Sequence, residues 1–128
     1  MQYIIMLTIV VGLAASDFIT GIIKAYIKNN LNSRVMRKGG IHKIAEIVVM
    51  LTACGLEIGI TKLGEYYNAE QLASITGTFT AIAVFGYITI MEVISILENY
   101  AEIDESAAWA VKFLKRLKNV KIEEEEKQ

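Results

Sequence analysis

A chain of 128 residues has room for one domain, and its 54% hydrophobic share with mean hydropathy +0.42 exceeds the roughly 45–50% apolar content of soluble domains, so the membrane class leads. Net charge is only -1, but it is segregated: residues 24–43 hold six basic side chains and no acid, whereas residues 123–126 are all glutamate. The single Cys54 excludes an intrachain disulfide and a zinc site made of cysteine alone, and the absence of proline leaves long helices unbroken.

Residues 1–16 lack the basic start of a cleaved signal peptide, because the first basic residue is Lys24, after the apolar run. The run therefore reads as a retained anchor, a first span over residues 3–23. At about 1.5 Å per residue it suits a hydrocarbon core of about 30 Å. Its eleven Ile, Leu, Val and Phe residues each favour insertion by about 0.3–0.6 kcal/mol, which outweighs a cost of roughly 3 kcal/mol for Asp17. Helical spacing puts Ala14, Asp17, Thr20, Gly21, Lys24 and Lys28 on one face. A carboxylate facing lipid tails is expensive, so this face should meet another helix, a water-filled path or the headgroups. Asp17, Thr20, Gly21 and Lys24 are accordingly candidates for an assembly or pore-lining surface. An ion pair of Asp17 with Lys24 or Lys43, or a local bond with Thr20, is the plainer reading.

Asn29, Asn30, Asn32 and Ser33, followed by Arg34, Arg37, Lys38, Gly39 and Gly40, read as a loop over 24–43. A second span follows over 44–61. It carries Glu46, within reach of a headgroup-level salt bridge to Lys43, and Glu57, a further candidate pore carboxylate. Gly55 and Gly59 form a small-xxx-small pair suited to helix packing. After a short polar connection the third span occupies 72–91, with Thr76, Thr80 and Tyr87 as a mildly polar stripe beside Gly77, a further packing candidate. Glu92 and Glu98 follow it, placed to neutralise the basic loop. Six basic residues lie between the first two spans, six after Glu92, and only Lys62 between the second and third. The positive-inside rule then places the first loop and the C-terminus in the cytoplasm and the N-terminus outside.

Residues 104–120 read as a separate amphipathic helix, with Ala107, Ala110, Val111, Phe113, Leu114, Leu117 and Val120 on one side. Trp109, Lys112, Lys115 and Arg116 are candidates for binding anionic lipid at the inner membrane surface, and the final glutamate run is a solvated tail. The fold class is all-α: an integral membrane protein with three transmembrane helices in residues 1–99, then a cytoplasmic amphipathic helix and charged tail in 100–128. No Ser-His-Asp set, phosphate-binding loop or metal-ligand spacing is present in the sequence. An enzyme, a cofactor or a nucleic-acid partner is therefore not expected.

Three pieces of the chain stand in a telling order: Asp17-Phe18-Ile19-Thr20-Gly21-Ile22-Ile23-Lys24-Ala25; then Ser33 with Arg37, Lys38, Gly39 and Lys43; then Glu92-Val93-Ile94-Ser95-Ile96-Leu97-Glu98-Asn99. Together they resemble the phage-lysis and toxin-secretion holin family. The sequence departs from that family in having no proline after Asn99 and glutamate rather than aspartate at Glu57. The resemblance implies a homo-oligomer of the cytoplasmic membrane that forms lesions releasing a peptidoglycan hydrolase or a toxin. Two other classes fit the residues alone: a small ion- or proton-coupled transporter using Asp17, Glu46 and Glu57 as a relay, and a membrane scaffold subunit. A hydrolase or toxin gene beside this one would favour the first class over both.

Overall fold

Two asparagines divide the apolar part of the chain into three rods. The computed structural model describes the backbone of residues 1–125 and the side chains of residues 1–116. Among the described residues there are four helices: α1 (Gln2–Ile27), α2 (Ser33–Tyr66), α3 (Glu70–Ile103) and α4 (Ala108–Glu125). Asn29 and Asn68 have φ of 50° and 55°, the left-handed region that asparagine tolerates better than most residues. Each reverses the chain in the same way. The Asn30 N–H donates to the Ala25 carbonyl at 2.9 Å, and the Ala69 N–H donates to the Gly64 carbonyl at 2.8 Å. Asn32 then caps α2, its side-chain oxygen accepting from the Arg34 and Val35 amides at 2.9 and 3.4 Å. Connections this short between mutually packed helices make α1, α2 and α3 an antiparallel up-down-up bundle.

All three bundle helices are long and apolar enough to cross a membrane. At 34 residues each, α2 and α3 extend about 50 Å and overrun a hydrocarbon core of about 30 Å. Of residues 24–43, expected from composition to form a loop, only 28–32 are non-helical. Arg34, Arg37 and Lys38 are good helix formers, and the glycine pair costs only about 1 kcal/mol per residue within a helix this long. Gly39 and Gly40 also lie against Phe18 of α1, where an added Cβ would be 3.9 Å from its ring. Likewise α3 runs past Glu92 to Ile103.

The inner face of each helix follows a spacing of three and four residues: Val10, Ala14 and Asp17; Met50, Ala53, Cys54, Glu57 and Gly64; Gly77, Ala81, Ile88, Glu92 and Asn99. Val10, Met50, Cys54 and Ile88 form the apolar centre, with Tyr3, Met6, Leu7 and Phe85 packed around it. Outside, the bundle is aliphatic and exposed, as at Ile4, Ile19, Val48, Leu56, Ile75 and Ile90. Five hydroxyls on the bundle helices are satisfied within their own helix. Thr8, Ser16, Thr52, Thr76 and Thr80 each donate to the carbonyl four residues earlier, which removes an unpaired donor from lipid.

Beyond the bundle, Asp104 ends α3 and folds an Asx turn, accepting from the Ser106 amide at 2.9 Å and the Ser106 hydroxyl at 2.7 Å. The fourth helix therefore starts at Ala108 rather than at residue 104. Of its expected apolar side, Ala107, Ala110 and Leu114 are buried where α4 packs on α3, whereas Val111 and Phe113 are exposed. The side chains of Leu117, Lys118 and Val120 and the 123–126 run lie outside the described residues.

Candidate functional site

Towards the α1–α2 turn the seam of the bundle becomes ionic. Asp17 from α1, Lys43 and Glu46 from α2, and Glu92 and Asn99 from α3 converge there. The Lys43 ammonium lies 2.7 Å from Asp17 Oδ2, 2.5 Å from Glu92 Oε1 and 3.4 Å from Glu46 Oε2. The other Asp17 oxygen accepts from the Asn99 amide at 3.0 Å, and that amide also reaches the Thr20 hydroxyl at 3.2 Å. Thr20 in turn donates to the Asp17 carbonyl at 3.0 Å. Asp17, Glu92 and Asn99 are all buried. Gly21 faces this amide, since a Cβ on it would stand 3.6 Å from Asn99 Nδ2. A carboxylate inside an apolar bundle is thus held by a cation and an amide from two other helices, the partnering that burial demands.

Nearer the α1–α2 turn, Lys24 and Lys28 both pair with Glu102 of α3, Lys24 at 3.5 Å. A cleft of about 750 Å³ opens here between the three helices, with Phe18, Ile22 and Met36 on its apolar wall and Lys24, Lys28 and Asn30 on its polar one. At the opposite end of the bundle stands a smaller polar group. Glu57, buried on α2, accepts from Gln2 at 3.1 Å and from the Thr78 hydroxyl at 3.2 Å. The helices touch closely beside it: a Cβ on Gly77 would lie 3.1–3.3 Å from the backbone and Cγ of Glu57. Fourteen residues of α2 separate Lys43 from Glu57, about 21 Å along the axis, and the apolar centre fills the interval.

The sequence candidates therefore fall into separate places. Asp17, Thr20 and Gly21 meet at the ionic seam, but Lys24 turns to Glu102, and the cation on Asp17 is Lys43. Glu46 does pair with Lys43, and Glu92 does neutralise a cation of the basic segment. Glu57 belongs to the other end, so Asp17, Glu46 and Glu57 do not form a continuous relay within one chain. Gly77 packs on Glu57, while among the described residues nothing lies within 4 Å of a Cβ added at Gly55 or Gly59. Trp109, Lys112 and Arg116 lie with Phe113 along one exposed side of α4, and Lys115 is exposed too. The Trp109 ring stands 6.2 Å from that of Tyr100. Asn99, Glu102 and Gln2 were not singled out as site residues. Their signal was faint: Asn99 falls on the seam at a spacing of seven from Glu92, and Gln2 and Glu102 sit at helix ends where polar residues are ordinary.

Three membrane-length helices, apolar outside and carrying buried polar groups at both ends of an apolar seam, define a small multi-span helical membrane protein. No curated protein and no solved structure matches the chain. The model of the bacteriophage holin family matches residues 2–119, nearly the whole chain, and the chain belongs to that family. It is a holin.

Proposed function

We propose that copies of this chain accumulate in the bacterial cytoplasmic membrane and assemble into lesions that release a peptidoglycan hydrolase or a toxin. The observation that carries this reading is the inverted distribution of polarity. The charged residues of the spans face inward, and the lipid-facing side is aliphatic. A subunit built this way can reside in lipid without exposing charge, yet it holds enough polar surface to line water if seams open and re-form between subunits. Gly55 and Gly59, where nothing among the described residues lies within 4 Å of an added Cβ, allow close approach of a second copy. The N-terminus lies outside, residues 24–43 and α4 lie in the cytoplasm, and the Trp109, Lys112, Lys115 and Arg116 side of α4 rests on anionic headgroups, where each basic residue gains about 1 kcal/mol.

The test is expression beside a cell-wall hydrolase, scoring membrane protein level and lysis time together. Asp17→Leu removes the carboxylate and lowers the insertion cost by roughly 3 kcal/mol, so the variant should accumulate normally and lyse late or not at all. Unchanged lysis at equal protein level would remove Asp17 from assembly.

A further inference from the structure

The ionic seam has more acceptors than protons to fill them. Three carboxylates surround one ammonium. Asp17 is complete, with one oxygen on Lys43 and the other on Asn99. Glu92 gives one oxygen to Lys43, and its side chain is only 2% exposed. Its second oxygen, and Oε2 of Glu46, are both buried and have no hydrogen-bond partner among the described residues. The Glu46 oxygen has only the distant attraction of Lys43 at 3.4 Å, and the other Glu46 oxygen faces His42, 76% exposed, at 3.8 Å. With both glutamates ionised the seam would carry two uncompensated negative charges and two orphaned acceptors inside the bundle. Each orphan carries a desolvation cost, and like charges sharing a site resist joint ionisation.

We infer that Glu46 and Glu92 bind one proton between them, held as an O–H on one carboxyl and donated to the orphaned oxygen of the other. The proton comes from water, and no bond other than that O–H forms. One proton removes one excess charge and gives both orphans a partner at once. The charged and titratable groups around it are Asp17 from α1, and His42 and Lys43 beside Glu46 on α2. The site joins α2 to α3 at the ionic end of the bundle, so deprotonation sets two anions against each other across that helix pair. This is independent of the holin reading and would hold in a membrane protein of any function.

The test is infrared difference spectroscopy on the full-length protein in phospholipid vesicles, titrated with acid and base in H2O and D2O. The unsubstituted protein should show the C=O stretch of a protonated carboxylic acid at neutral pH, shifted in D2O and bleached at alkaline pH. Glu46→Gln and Glu92→Gln should each abolish that band, because the new amide supplies the N–H that replaces the shared O–H. Glu57→Gln should leave it in place. Absence of an acid band at neutral pH in the unsubstituted protein overturns the inference whatever the variants do. So does a band that survives either Glu46→Gln or Glu92→Gln, or one that vanishes in Glu57→Gln.

Discussion

Removing Lys43 would leave Asp17, Glu46 and Glu92 facing one another with no cation. Breaking a buried pair by deleting one partner costs about 3–5 kcal/mol. Lys43→Met should therefore destabilise the bundle by that order. Asp17→Asn should cost less, about 1.5–3 kcal/mol for a charged hydrogen bond, because Lys43 keeps two other carboxylates. Reversible unfolding in mixed micelles, followed by circular dichroism, ranks the two, and an Asp17→Asn loss equal to that of Lys43→Met would contradict the hub role of Lys43. Asp17 was legible in the sequence because a carboxylate inside an apolar run has no bland place to go. Its partner was legible only as a choice. Lys24 lies on the same face of α1, but two turns away and about 10 Å along the axis, and it is drawn to Glu102 instead. Which residue of another helix arrives at a given height depends on the turns and on how the rods align, and neither is encoded in the spacing along one rod.

Glycines separate the contacts made within one chain from those left for a neighbour. Gly77 sits where α2 and α3 touch, so Gly77→Leu would drive a side chain into the Glu57 backbone. Overpacking of this kind costs about 1–3 kcal/mol, and the loss should appear in the same unfolding experiment. Gly59→Leu has open space around it. It should change monomer stability by less than about 0.5 kcal/mol, while lowering the yield of cross-linked oligomers and delaying lysis. Equal cross-linking in the parent and in Gly59→Leu would place the interface elsewhere. Truncation after Ile103 removes α4 but keeps Glu102 and its pairs with Lys24 and Lys28, so insertion should persist and lysis timing should shift. Loss of membrane accumulation would contradict that division of labour. The three apolar rods were legible from hydropathy alone. Their ends were not, because Ser33 to Lys43 is polar enough to resemble a loop, yet it is helical around its glycines and packs them on Phe18. The α3–α4 turn was hidden for a related reason: Asp104 suits a helix start by charge, but its side chain is engaged by Ser106. Those bonds, first from the hydroxyl and then from the amide, hold the Asp104 carboxyl below the usual carboxylate range. The turn is thus favoured above that range and loosens as pH falls through the lowered value.

Over the whole molecule the two ends of the bundle differ in charge, and this fixes the expected orientation. The end with the α1–α2 turn carries Lys24, Lys28, Arg34, Arg37, Lys38 and Lys43, and the chain leaves for α4 from the same end, where Glu102 meets Lys24 and Lys28. The other end has Lys62, already paired with Glu65, besides the N-terminus. Lysine and arginine near span ends resist translocation, so the α1–α2 turn should stay in the cytoplasm and the α2–α3 turn should cross. Both turns can be probed directly. Tyr67 is 71% exposed and Asn30 is exposed, while Cys54 is 5% exposed in the apolar centre and can be replaced by alanine to clear the background. In cells whose cytoplasmic membrane is intact but accessible, Tyr67→Cys should react with a membrane-impermeant maleimide, and Asn30→Cys should react only after permeabilisation. The labelling is to be read before lysis begins, since a lesion would admit the reagent to both faces. Reaction of Asn30→Cys in intact cells, with Tyr67→Cys protected, would invert the protein. The basic side of α4 would then face away from the inner leaflet, and its proposed contact with anionic headgroups there would fall with the orientation.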